Sequence, residues 1–489
     1  MPASARRFAL VAASVLALMF APGFAAAADE EEPGGVVAPA GPVGDWSQFQ
    51  GDAAHTADAP GGPPPPYEPA WEFPVDGPSG PSSPVIHEGV VYAVGPESVF
   101  AVDPATGEQK WSVPRTPGSA NPVPAIASVG GEDMLVFLQG SGQETSLAMV
   151  NLHDHERAVQ LPVIEQDASR GVTVFSDTAY VGDVRGTVHA VDLTERETLW
   201  TYDVGESPVI LPPPADVGSL YVNGADQRGI QHLAALDATT GEQRWKVPIG
   251  PLGLTTSGLS LSDGTIYAAF ADGSVRAYAA EDGNLRWSSR VLRPAPSPFL
   301  PVSPFMAPAV SGGMVFIGGG SGGVYALDAS TGELVWDYQF SGGPAGFILR
   351  SAPVVASTSV LIGLQDGRLG AVDTVEGTGI FEVAVDADPS GRRPLKGIAV
   401  SDELIVASRG GGGGGLVAYR PDPEGNLTAT ASPTRFRLGP TLASYALALL
   451  LVAGVAFAIA WIVRALIARR SPPPDPMEDA GDDLAGEVG

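Results

Sequence analysis

The chain contains no cysteine. That excludes a disulfide scaffold, a thiolate metal site and a lipidated cysteine. Positive charge is scarce as well: 27 Lys and Arg stand against 55 Asp and Glu, a formal net charge of −28. Phosphate binding needs basic stripes, so the balance speaks against a nucleic-acid partner. Apolar runs of helix length occur only near the two ends, at Phe8 to Phe20 and Leu442 to Val463. Between them the chain is cut by 62 Gly and 46 Pro into many short β-branched and aromatic runs. With 489 residues, 44% of them hydrophobic, it can bury a large core, and that punctuation predicts an all-β domain rather than alternating helices.

One pattern organises the middle. Ala326 to Trp336 reads ALDASTGELVW, and related copies end at Trp111 (AVDPATGEQKW), Trp200 (AVDLTERETLW), Trp245 (ALDATTGEQRW) and Trp287 (AYAAEDGNLRW). A recurrence of this length marks a repeat architecture. In most copies an Asp closes a strand, at Asp103, Asp192, Asp237, Asp328 and Asp373, and is placed to accept backbone N–H groups of the following turn. Gly107, Gly241 and Gly332 supply the positive φ that a tight hairpin requires. The aromatic ring on the returning strand is too large for one small sheet to bury, so it must dock on the next unit. That docking position falls at Trp71, Trp111, Trp200, Trp245, Trp287, Trp336 and Phe381, with a worn copy at Val159. In the worn repeat Asn151 replaces the Asp, and in the third repeat Arg196 replaces the Gly.

The AxDxxTGxxxW pattern resembles the tryptophan-docking motif of the quinoprotein-type, PQQ-like and BamB-like β-propellers. The resemblance covers roughly Asp45 to Tyr419. It implies blades of four strands, and the copies add up to an eight-bladed β-propeller. The two incomplete copies are complementary. Strands at Leu404 to Ala407 and Leu416 to Tyr419 lack an outer partner, which the segment around Trp71 supplies, closing the ring. In this family Asp45 to Thr56 (DWSQFQGDAAHT) resembles a segment preceding the first blade, with Trp46 and Phe49 expected under the propeller and a turn at Gly51 and Asp52.

The flanks read in order as a signal peptide over 1–28, a disordered Pro-, Gly- and acid-rich leader over 29–66, the propeller over 67–420 and a stalk over 421–441. Arg6 and Arg7 match a twin-arginine signal only loosely. The run over 442–463 carries no charge and has the length that crosses a bilayer core, so it is expected as one C-terminal transmembrane α-helix. Arg464, Arg469 and Arg470 then place a short acidic tail, 464–489, in the cytoplasm, with the ectodomain outside the cell membrane.

Enzymes of the resembled family hold pyrroloquinoline quinone at the axis beneath a disulfide between adjacent cysteines, over a Trp floor, with Ca²⁺ and a catalytic Asp. The cysteine lid cannot form here, and no calcium ligand or catalytic Asp maps by motif. Gly319 to Gly323 satisfies G-x-S-x-G, but Val324 continues as a strand where that motif needs a helix, and Gly410 to Gly415 fails likewise. His153 and His155 could share a metal on a strand, yet read better as part of an exposed loop. The Asp-Gly pairs at Asp263, Asp272, Asp282 and Asp366 suit turns, and Asn426 opens a glycosylation triplet in the stalk. No catalytic, cofactor-binding or metal residue is therefore assigned, and no cofactor. The expectation is a non-catalytic scaffold of the bacterial envelope whose partners are envelope proteins or cell-wall glycan. A quinone-dependent dehydrogenase and a glycan sensor are the alternatives.

Overall fold

The computed structural model describes residues 45–424 apart from short stretches at 78, 119–120, 142–144, 156–158, 165–169, 206–207, 210, 251–256, 292–305, 320–321, 341–348, 350 and 384–392. The expected signal, stalk, membrane span and tail lie outside the described residues. Among the described residues no helix is long and apolar enough to cross a membrane.

The described strands form eight sheets. Seven are built from four consecutive antiparallel strands named a to d from the axis outward, and the blade 7 sheet adds Asp58–Ala59 as a fifth strand, parallel to its strand a. Blade 1 runs from Val85–His87 to Gln109–Pro114 and blade 2 from Ala125–Val129 to Val159–Val163. Blade 3 runs from Thr173–Phe175 to Glu197–Asp203, and blade 4 from Ala215–Asp216 to Gln243–Gly250. Blade 5 runs from Ser260–Ser262 to Leu285–Arg290, blade 6 from Ala309–Ser311 to Leu334–Gln339, and blade 7 from Val354–Ala356 to Gly379–Val383.

Blade 8 is composite. Leu395–Val400, Ile405–Arg409 and Gly415–Pro421 are its strands a to c, and Tyr67–Pro74, from the other end of the chain, is its strand d. The closure is antiparallel, with Trp71 opposite Ala418 and Phe73 opposite Leu416. Arg409, nearly buried, holds Glu72 through both guanidinium NH₂ groups at 2.9 and 3.2 Å, adding a fork-like ion pair to that seam.

The strand sequences explain the layering. Strands b and c are almost wholly buried, because the sheet faces of neighbouring blades stack on one another. Strand d alternates, as in Leu334–Gln339, where Trp336 is buried and Leu334, Val335 and Asp337 are exposed. The turns joining a to b and c to d lie at the same end of blades 1 to 7. In blade 6 the Ala329 N–H donates to Gly313 O across the two turns, and in blade 7 the Thr374 N–H donates to Thr358 O.

The expected leader ends sooner than residue 66. Residues 45–66 are described and pack on the blades, with Trp46, Gln48, Gln50 and His55 buried and a two-residue strand at Asp58–Ala59. Composition alone argued for a solvated segment. What overrides it is a row of unpaired inner-strand N–H groups at the axis that this segment satisfies.

Candidate functional site

That axial segment reads the blades in sequence. Trp46 exchanges two backbone hydrogen bonds of 2.9 Å with Ile86 of blade 1, and the Ile126 N–H of blade 2 donates to Ser47 O at 2.7 Å. Gln48 does the same work with its side chain: its Oε1 accepts from the Val174 N–H of blade 3 and its Nε2 donates to Val174 O. The N–H groups of Ala215, Leu261, Val310 and Val355, on blades 4 to 7, then donate to the carbonyls of Ala53, Ala54, Thr56 and Ala57 at 2.8 to 2.9 Å. At blade 8 the contact is steric: a Cβ on Gly62 would lie within 3.0 Å of the Val400 side chain. Residues 45–62 thus form a clasp running round one end of the axis, on the face that carries the a–b and c–d turns. A free inner strand edge would otherwise expose these donors.

The clasp is polar but internally satisfied where its charges lie deepest. Asp52 accepts from the Thr56 N–H at 3.0 Å and from the Thr56 hydroxyl, which is how the turn after Gly51 is held. Burial pushes the Asp52 carboxyl up from its ordinary range. His55 is fully buried, stands edge-on to Phe49 with centroids 5.1 Å apart, and meets Thr173 Oγ1 at 3.1 Å. Burial lowers it to about 3, so its imidazole stays neutral.

Where the clasp begins, His87 joins three elements. Its Nδ1 lies 2.6 Å from Asp45 of the clasp and its Nε2 3.1 Å from Asp133 of blade 2. Burial alone would depress the imidazolium, but hydrogen bonds to both carboxylates outweigh it and push the group up to about 9. Among the described residues, His87, Glu88 and Asp133 form the one group whose ligand atoms come within 4.8 Å of one another, close enough to share a cation. Both ring nitrogens of His87 are already engaged by carboxylates, so the imidazolium is itself the counter-ion. Because the folded value lies above the ordinary 6.5, the stabilisation is complete below pH 6.5 and is lost as pH rises through about 9. Asp133 is 39% exposed and screened, so the expected loss is about 1 to 2 kcal/mol. Denaturation at pH 6 and pH 9.5 should show this decline in the native chain and little of it in His87→Gln.

Between blades the motif residues meet in a repeated arrangement. The indole N–H donates to the carbonyl just after the motif position of the next blade: Trp71 to Pro104, Trp200 to Ala238, Trp245 to Ala280, Trp287 to Ala329 and Trp336 to Thr374, at 2.6 to 3.1 Å. Each ring covers the glycine of that blade's turn. A Cβ on Gly107, Gly241, Gly283, Gly332 or Gly377 would sit under 3.0 Å from the ring of Trp71, Trp200, Trp245, Trp287 or Trp336 respectively. Phe381 instead meets Tyr67 of the composite blade edge-on, 5.0 Å between centroids. The motif aspartates brace the same turns. Asp103, Asp192, Asp237, Asp328 and Asp373 each accept two turn N–H groups at 2.7 to 3.1 Å. Arg244 beside Asp237, with those amides, holds its carboxyl down at about 2.

Gly332→Ala would combine a strained φ of +73° with a clash against Trp287, and is expected to cost about 1 to 3 kcal/mol. Gly264→Ala, with a similar φ of +64° but open space around the new methyl, isolates the strain and should cost less in the same denaturation experiment.

The worn repeats follow the same logic. Where blade 2 lacks the glycine, His155 adopts φ +54° and stacks its ring on Trp111 at 4.8 Å, while Asn151 Oδ1 accepts from the His153 and Asp154 N–H groups as the aspartates do. In blade 2 Val159 pairs with Met149 in the strand register, and blade 3 has Arg196 at φ +60° at the turn position that is glycine in blades 1, 4, 5, 6 and 7. Motif reading overlooked one recurrent partner, the aromatic of strand b. Tyr92, Tyr180, Tyr221, Tyr267 and Phe316 lie 5.8 to 6.3 Å from the tryptophan of their own blade. The Tyr180 and Tyr267 hydroxyls donate to the same carbonyls, Ala238 and Ala329, as Trp200 and Trp287. Its signal was present as one aromatic in each strand-b run of blades 1 to 6.

At the Gly319 to Gly323 string the Gly322 N–H donates to Gly319 O and the Gly319 N–H to Gly323 O, and Gly323–Asp328 continues as a strand, while Gly320 and Ser321 lie outside the described residues. Of the eight tryptophans, six sit between blades, Trp46 sits in the clasp, and Trp461 lies outside the described residues. The six tryptophans between blades therefore do not form a flat quinone floor at the axis.

A family model described as outer membrane protein assembly factor BamB matches residues 65–167, 144–298 and 231–436. Among curated relatives, the outer membrane protein assembly factor BamB of Nitrosomonas eutropha is 31% identical over 201 residues, 40% of this chain and 44% of that protein. The chain spans about half the length of the curated relatives it matches. The crystal structure of BamB from Moraxella catarrhalis is similar with TM-score 0.53 at 18% identity, covering 73% of this chain and 98% of that one. Quinohemoprotein alcohol dehydrogenase from Comamonas testosteroni is similar with TM-score 0.58 at 14% identity, covering 77% of this chain and 80% of that one. At these identities the two structures speak to the fold alone.

Proposed function

The chain belongs to the family described as outer membrane protein assembly factor BamB, and from that premise we propose that it is a non-catalytic protein-binding scaffold of the bacterial cell envelope. The single observation that carries this reading is the family match across residues 65–436, nearly the whole ring. The geometry supports it. The motif residues Trp71, Trp111, Trp200, Trp245, Trp287, Trp336 and Phe381, with their aspartates and glycines, are assigned to holding blade on blade, and the clasp occupies one end of the axis. The relatives' name places them in assembly at the outer membrane. For this chain the proposed arrangement is a signal over 1–28, an extracytoplasmic ring, a stalk over 421–441, a single membrane span over 442–463 and a cytoplasmic tail.

The test is proximity labelling from the ring in the intact envelope, followed by pull-down with the full chain. Recovery of a defined set of envelope proteins in stoichiometric amount is the expected result. Retention on cell-wall polysaccharide with no protein recovered would replace the scaffold by a glycan sensor. Stoichiometric uptake of pyrroloquinoline quinone with Ca²⁺, followed by absorbance, together with alcohol-dependent dye reduction, would overturn the non-catalytic reading.

A further inference from the structure

The outer edge of blades 5 to 7 carries apolar side chains that stay exposed among the described residues. Leu285, Leu334, Val335 and Val375 are 55%, 44%, 52% and 67% exposed. Leu285 and Leu334 occupy equivalent positions, two residues before Trp287 and Trp336. Val335 follows Leu334 at a register shift in the sheet, and Val375 tips the turn that Trp336 supports from blade 6. Elsewhere the positions of Leu285 and Leu334 hold Gln109 and Gln243, and that of Val335 holds Lys110 and Arg244. Blade 3 also exposes an apolar residue at the Val335 position, Leu199, but two residues before the docking tryptophan it is blades 5 and 6 that carry leucine where blades 1, 3 and 4 carry Gln109, Thr198 and Gln243.

Its surroundings are acidic. Glu281, Asp282, Glu333 and Glu376 are exposed in the same turns, and blade 6, over 309–339, has Asp328, Glu333 and Asp337 but no Lys or Arg. The nearest cation of the strand, Arg286, reaches Thr265 Oγ1 at 2.5 Å. Aliphatic side chains set among carboxylates disfavour an anionic bilayer, a nucleic acid or a second copy of this acidic chain, each by like-charge repulsion. What they complement is an aliphatic surface rimmed by cations.

We infer that the outer edge of blades 5 to 7, at the clasp face, is a docking surface for a basic amphipathic segment of a partner protein, its Leu or Ile side chains on Leu285, Leu334, Val335 and Val375 and its Lys or Arg on the turn carboxylates. The inference rests on the scaffold reading and names the site and the partner chemistry it would use.

The probe is a fluorescein-labelled helical peptide of Lys and Leu, titrated into the purified full chain and followed by anisotropy. Leu334→Ser with Val375→Ser should weaken binding about tenfold, and Glu333→Lys with Glu376→Lys by at least as much, each a loss of about 1.4 kcal/mol or more. Binding should also fall as salt rises from 50 to 500 mM. All four positions are exposed, and unchanged melting temperatures establish that the variants remain folded. Equal binding of a Lys and Ser peptide would reduce the effect to bulk charge and overturn the inference. Equal binding of a Glu and Leu peptide, adsorption to phosphatidylglycerol vesicles or concentration-dependent dimerisation through the patch would overturn it too. If envelope pull-down recovers partners equally with native chain and Leu334→Ser/Glu333→Lys, the scaffold stands and this surface does not. If it recovers none with either, the scaffold reading fails first.

Discussion

Trp336→Ala is expected to lower the unfolding free energy by about 3 to 5 kcal/mol, the cost of truncating a large buried aromatic. The indole is 9% exposed, lies 5.8 Å from Phe316 of its own blade, and closes the seam to blade 7 through Thr374 O and Gly377. Its removal loses the ring's contacts on both sides, because nothing rigid can move in to fill the space. The measurement is denaturant unfolding, read as a lower midpoint with unchanged slope. Trp336→Phe separates the terms: it keeps most of the ring and loses the N–H, so it should retain much of the stability. A loss below about 1 kcal/mol for the alanine variant would mean that the indole is not a structural wedge.

Deleting residues 45–62 is expected to be comparably damaging. Trp46, 3% exposed, would lose its burial at a cost of about 3 to 5 kcal/mol. The N–H groups of Ile86, Ile126, Val174, Ala215, Leu261, Val310 and Val355 would lose partners worth about 1 kcal/mol each, partly recovered from water. Amide hydrogen exchange checks the mechanism as well as the size. Those seven inner-strand amides should lose protection together, while strand-c amides such as that of Leu327 keep theirs. Unchanged protection at the seven would show that the clasp is dispensable.

Much of the fold was legible from residues because the repeat is dictated by chemistry that leaves letters behind. Asp328 must cap a turn, Gly332 must admit a ring, and Trp336 must find a neighbouring blade, so AxDxxTGxxxW fixes both local conformation and inter-blade packing. The closing strand around Trp71 was legible for a similar reason: an outer strand was missing at one end and surplus at the other. The clasp was only half legible. Trp46 and Phe49 pointed to burial, but most of its bonds are made by backbone carbonyls of Ser47, Ala53, Ala54, Thr56 and Ala57, to which side-chain identity is blind. His155 was illegible for the opposite reason. Its letter suggests metal or solvent, and only the left-handed backbone at that turn reveals it as a platform for Trp111. The apolar edge of blades 5 to 7 hid inside the repeat itself, since Leu334 and Val335 read as ordinary strand residues until their exposure is known.

The composite blade and the clasp together set an order of events. Residues 45–74, made before blades 1 to 7, find their partners on all eight blades, and Trp71 cannot pair until Ala418 has been made. Early blades can form as local hairpins, but the ring cannot lock before its last strand arrives. Native assembly therefore waits for the far end of the ring, and a polypeptide interrupted short of it would present two unmatched edges to the cell's quality-control proteases.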